Sequence, residues 1–94
     1  IAVEAARERI SANSELALLD VREPHEMANG KIEGALNVDN ELGSKIINDW
    51  PRDREIIVYC EHGERSLQAT QFLKQRGFQN VRSLTGGFAV WSTN

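Results

Sequence analysis

Sulfur is scarce in this sequence: 94 residues contain one cysteine, Cys60, and one methionine, Met27. A single cysteine closes no internal disulfide, so the fold does not rest on an oxidising compartment and a cytoplasmic setting is the default expectation. No second cysteine is available as a metal ligand, and the two histidines, His25 and His62, lie far apart, so no metal site is expected. No apolar run is long enough to span a bilayer. There is no basic surplus: 11 basic residues face 14 acidic ones for a formal charge of −3, which gives neither nucleic acid nor an anionic membrane a reason to bind. Repeats, low-complexity segments and linkers are missing as well. The length suits one small domain over residues 1–94, expected to act as a monomer.

What is present is an alternation of short apolar runs with amphipathic stretches. Leu16–Val21 and Ile56–Cys60 read as buried strands, the second, rich in β-branched and aromatic residues, being the strongest strand signal. Val81–Leu84 is a weaker strand, and Ile1–Val3 and Ala35–Val38 are each expected to add a short one. Val3, Ala6 and Ile10 share the face of a first helix, and Pro24 suits the first turn of a short second one. Leu42, Ile46 and Ile47 mark a third helix that ends before Pro51. Ser66 is expected to N-cap a fourth, whose stripe of Ala69, Phe72 and Leu73 stops at Gly77. Gly86-Gly87 turns the chain into a last helix carrying Val90 and Trp91. Trp50 and Trp91 read as packing anchors. Strands alternating with helices imply an α/β fold with parallel pairing and right-handed crossovers.

Ligands of open α/β sheets bind at the carboxyl ends of strands, which is where Cys60 lies. A lone cysteine is most often a small buried hydrophobe. This one precedes Glu61-His62-Gly63-Glu64-Arg65-Ser66, a short loop feeding a helix start. Such a junction turns several backbone N–H groups toward one point, and Gly63 gives the backbone freedom to wrap tightly. A sulfur at that point is stabilised as thiolate by the N–H groups, the helix dipole and Arg65. His62 reads as a solvated loop residue rather than a general base, and His25, Glu23 and Glu26 as a solvated helix start. Asp20 and Arg22 read as strand-end charges.

Four blocks in order resemble the rhodanese family: Asp20-Val21-Arg22-Glu23-Pro24, Gly30-Lys31-Ile32-Glu33-Gly34-Ala35-Leu36-Asn37, Val58-Tyr59-Cys60 with the loop to Ser66, and Leu84-Thr85-Gly86-Gly87 with Trp91. The resemblance implies a mostly parallel five-stranded sheet flanked by helices on both faces. It implies a sulfurtransferase that moves sulfur from a donor, thiosulfate or a persulfide, to a cyanide or thiol acceptor through a persulfide on Cys60, with no cofactor. It also implies that Asp20 and Arg22 support the active-site loop. Family members usually carry His and Pro where this chain has Lys31 and Glu33, and an aromatic where it has Met27. The acids Glu61 and Glu64 flank the loop and are expected to disfavour dianionic thiosulfate against a persulfide on a partner protein. The alternatives are a phosphatase or arsenate reductase of the same fold, whose loop is one residue longer, and a non-catalytic module that binds a partner protein.

Overall fold

The computed structural model describes residues 1–93. Strands β1 (Ala17–Asp20), β2 (Leu36–Asn37), β3 (Ile56–Tyr59) and β4 (Val81–Ser83) form one sheet in the order β2-β1-β3-β4, every pair parallel. The two runs read as buried strands lie at the centre, and all residues of β1 and β3 are buried. Helices cover both faces, so neither face of these strands needs polar residues. Helices α1 (Val3–Ala12) and α4 (Gly87–Trp91) pack with Leu18, Ile57 and Tyr59 on one face. Helices α2 (Asn40–Asp49) and α3 (Glu64–Gln75) pack with Leu19, Ile56 and Val58 on the other. Each fully buried aliphatic side chain contributes about 1.5–3 kcal/mol, so β3 anchors the structure on which its last residue and the following loop depend.

Among the described residues four strands form, not five. Ile1–Val3 does not become a strand, because Val3 already starts α1. Ile1 alone takes the fifth place: its nitrogen donates to the Ser83 carbonyl at 2.7 Å, and its carbonyl accepts from the Thr85 N–H at 2.8 Å. One residue paired in parallel fashion to the edge of β4 is too short to count as a strand. Trp50 and Trp91 pack against the two cores as partly buried side chains, each also covered by an arginine, Arg54 at 4.2 Å and Arg7 at 3.8 Å.

The ends of the helices follow local chemistry. Asp39 caps α2 by accepting the Leu42 N–H at 2.8 Å, and Pro51 lies just beyond its end. Pro24 opens a 3-10 helix, Pro24–Asn29, whose start is closed by a reciprocal capping box between Glu23 and Glu26. Gly77 follows α3 with φ +94°, where the left-handed region ends the helix.

Candidate active site

The loop after β3 is held from outside by α4. The Cys60 carbonyl accepts the Phe88 N–H at 2.8 Å and the Glu61 carbonyl accepts the Ala89 N–H at 3.0 Å. The C=O and N–H of a trans peptide point in opposite directions, so turning the Glu61 carbonyl outward turns the His62 N–H inward. Gly87 permits the approach: its φ is +63°, and a Cβ there would lie 2.4 Å from the Cys60 oxygen and 2.6 Å from the Glu61 oxygen.

Inside the loop, Cys60 Sγ accepts the Gly63 N–H at 3.1 Å and the Ser66 N–H at 3.4 Å, and lies 3.5 Å from Ser66 Oγ. Gly63, not Ser66, is the N-cap of α3; its φ of +106° makes the sharp entry, and it brings no side chain to the open N–H groups. The sulfur stands where a capping oxygen would otherwise sit. Ser66 lies within the first turn, buried, with its hydroxyl 3.2 Å from the Gly63 carbonyl and 2.7 Å from the Ser83 hydroxyl. Cys60 itself is 1% exposed. Burial is the largest single influence on its thiol and pushes the pKa up. The Ser66 hydroxyl and the N–H groups of Ser66, Gly63 and His62 together outweigh burial and hold the pKa below the ordinary value.

Arg65 lies near the sulfur but does not bond it. Its guanidinium grips the carboxylate of Glu26 with two hydrogen bonds, 2.6 and 2.9 Å. Glu26 is therefore not the solvated residue that the sequence suggests, and Arg65 holds its carboxyl down at about 2. Glu61 does not stand free beside the sulfur either, because its Oε1 accepts from Arg22 Nη1 at 3.1 Å. The side chains of His62 and Glu64 are exposed.

Arg22 ties the surroundings together. It is fully buried, and its Nε and Nη2 grip the buried Asp20 carboxylate, with Nη2–Oδ2 at 2.8 Å. Nη2 also donates to the Gly30 carbonyl at 2.8 Å, and the guanidinium lies 4.6 Å from the Phe88 ring. Burial alone would raise the pKa of Asp20; the Arg22 fork and backbone N–H, with the Tyr59 hydroxyl, outweigh it and hold the carboxyl below the ordinary range. Burial, helped by Asp20, pushes the Tyr59 hydroxyl to about 12. A neutral Tyr59 thus donates to Asp20 and accepts the Ile32 N–H at 3.2 Å. Through Glu61, this network reaches the loop from beneath.

Cys60, Gly63 and Ser66 thus meet at one point, Glu61 turns to Arg22, and Arg65 turns to Glu26. Sequence reasoning missed Ser83, Tyr59 and the grip of α4 on the loop. Ser83 comes to Ser66 only through the β3–β4 pairing and leaves no local signal. Glu26 had a local signal for its capping role alone, not for its pairing with Arg65: the spacing Glu23-x-x-Glu26 across the start of a Pro-initiated turn.

Comparison with known proteins agrees with this geometry. The profile of the Rhodanese-like domain matches residues 2–94. A protein named sulfurtransferase from Allochromatium vinosum is 35% identical over 95% of this chain and 83% of its own length. The thiosulfate sulfurtransferase GlpE of Shewanella oneidensis is 40% identical over 79% of this chain and 73% of its own. Among solved structures, a rhodanese-related protein from Thermoplasma volcanium superposes with a TM-score of 0.77 at 33% identity, over 99% of this chain and 89% of that one. The Alr3790 protein from Anabaena gives a TM-score of 0.85 at 28% identity, over 99% and 75%. The chain belongs to the rhodanese-like family, as a sulfurtransferase.

Proposed function

We propose that Cys60 is the sulfur carrier of this sulfurtransferase, a single-domain monomer acting in the cytoplasm, where a lone thiol stays reduced. The observation that carries the reading is the convergence of backbone N–H groups and the Ser66 hydroxyl on Cys60 Sγ. These donors favour the thiolate, the form of cysteine that attacks sulfur. The His62 side chain is exposed, and the reading assigns it no role as a general base.

In the first half-reaction the thiolate attacks the sulfane sulfur of a donor. With thiosulfate, the substrate in the names of several relatives, a new S–S bond forms as the old one breaks, and sulfite leaves with the electron pair. Cys60 is left as a persulfide anion, and the loop N–H groups that stabilised the thiolate stabilise it in turn. In the second half-reaction a thiolate or cyanide attacks the terminal sulfur and regenerates the Cys60 thiolate. A persulfide on a partner protein is an equally balanced donor, with a thiolate as its leaving group. Intact-mass spectrometry after incubation with thiosulfate tests the reading. One added sulfur atom on the parent protein and none on a folded Cys60→Ser variant is the expected result. Sulfur transfer to cyanide that persists in Cys60→Ser would overturn it.

A further inference from the structure

Arg65 is the arginine of the loop that follows the reactive sulfur, its charge acts on Cys60, and its hydrogen-bonding fork is already occupied. A guanidinium fork matches one planar or tetrahedral anion at a time. Glu26 fills it with both carboxylate oxygens, at 2.6 and 2.9 Å. Glu26 is also held in place from its own side. Its Oε1 accepts the Glu23 N–H at 2.9 Å, and its carbonyl accepts from the buried Arg22 at 3.4 Å. The 3-10 helix thus presents a fixed carboxylate to the loop. The neighbouring acid Glu61 turns to Arg22, 3.1 Å away, and does not compete for Arg65.

We propose that Glu26 is a specificity-determining residue: it acts as a built-in competitor for the Arg65 fork and disfavours dianionic thiosulfate relative to persulfides, which carry a single charge and no oxyanion. The proposal rests on Cys60 being the sulfur carrier. A dianion such as thiosulfate must either displace Glu26 or approach Cys60 without the help of Arg65, whereas a persulfide, whose one charge sits on the terminal sulfur and which offers the fork no oxyanion, needs neither. Glu26 acts through Arg65 and is a positioning residue, so its signature is a change in KM rather than in kcat. The pair is partly exposed, with the Arg65 side chain 44% and the Glu26 side chain 21% accessible. Its displacement therefore sets a preference of about three- to fivefold rather than an absolute barrier.

The test is steady-state sulfur transfer with two donors, thiosulfate and the persulfide of N-acetylcysteine methyl ester, whose amide and ester leave no charge beyond the one on the persulfide sulfur. Glu26→Gln keeps an oxygen for the Glu23 N–H and removes only the charge. It is expected to lower the KM for thiosulfate about three- to fivefold, with kcat within about twofold, and to leave the KM for the persulfide unchanged. In an Arg65→Ala background the same substitution is expected to change nothing, because the competition is gone. Glu15→Gln, at the opposite end of the sheet, reports the effect of net charge alone and is expected to match the parent. An unchanged thiosulfate KM, an equal fall for both donors, or a fall that survives in Arg65→Ala overturns the assignment of Glu26. If intact-mass spectrometry finds no sulfur on Cys60 of any of these proteins with either donor, the carrier reading itself falls and the inference goes with it.

Discussion

At the carboxyl end of the sheet a buried arginine, Arg22, lies among carboxylates; at the amino end a buried carboxylate, Glu55, lies among arginines. Glu55 accepts from Arg9 at 2.7 and 2.8 Å, from Asn13 at 2.9 Å and from Arg82 at 2.9 Å. Both arginines of that cluster are wet on one side, with side chains 44% and 40% exposed, and every partner belongs to the scaffold. The Arg22 side chain is fully enclosed, and it reaches the loop through Glu61 and the 3-10 helix through the carbonyls of Glu26 and Gly30. The same chemical pairing therefore does two jobs. One cluster fastens α1 to β4 and stops there, whereas the other transmits the rigidity of β1 to the segment that carries the sulfur.

The largest effect is expected at Arg22. Arg22→Ala leaves the Asp20 carboxylate buried without its partner, a change that costs about 3–5 kcal/mol. It also releases Glu61, so sulfur loading on Cys60 is expected to fall more steeply than unfolding alone explains. Urea unfolding measures the first effect, and loading rates well below the urea transition measure the second. A variant with parent stability would mean that the carboxyl-end cluster does not hold the fold together.

Gly87→Ala attacks the same loop from outside. The new Cβ would collide with the carbonyls of Cys60 and Glu61, so the loop or α4 must shift. A displacement near 1 Å at a reacting group costs about 100-fold in rate, and a loss of that order in sulfur loading is expected. Parent kinetics in Gly87→Ala would show that the outward carbonyls do not set the inward N–H groups.

At the amino end the effect should be on stability alone. Glu55→Gln is expected to destabilise by about 2 kcal/mol, as for loss of hydrogen bonds to a charged group, with loading kinetics unchanged. The Glu55 carboxyl is held at about 2, chiefly by Arg9, against an ordinary value of 4.5. Its contribution is thus fully present above the ordinary value and is lost as the pH falls from about 4.5 through about 2. Melting temperatures of parent and Glu55→Gln should converge across that window. A kinetic defect in Glu55→Gln at neutral pH would erase the distinction between the two ends.

How much of this was legible in the sequence follows the range of the interactions. The central strands declared themselves because parallel strands covered on both faces must be apolar throughout, as Ile56–Tyr59 is. Cys60 and Gly63 were legible because a strand end and a glycine in a tight loop are local signals. Ser66 was recognised as important and given the wrong role: a hydroxyl at a helix start is usually a cap, and here the sulfur does the capping. The partners of Arg65 and Glu61 lie 39 residues away in the chain, and neither pairing has a local pattern. That is why the sequence shows Glu61 in the loop but not the Arg22 guanidinium that faces it.

The smallest effect is expected at Ser83, and its sign tells which way a hydroxyl proton points. Ser66 Oγ has one hydrogen and three neighbours that can take it: Cys60 Sγ at 3.5 Å, the Gly63 carbonyl at 3.2 Å and Ser83 Oγ at 2.7 Å. When Cys60 is a thiolate, the favourable order is a relay in which Ser83 donates to Ser66 and Ser66 donates to the sulfur. Each bond then polarises the next and strengthens it by a modest fraction. Ser83→Ala removes the outer link and leaves the inner one, so the Cys60 pKa should rise by only a few tenths of a unit, about half a kcal/mol or less. Ser66→Ala removes the inner link and should raise it further. The pH dependence of Cys60 alkylation separates the possibilities. If the pKa falls in Ser83→Ala, then Ser66 had been donating to Ser83, and losing that partner frees its proton for the sulfur. Ser83 would then be a competitor of the thiolate and not its support.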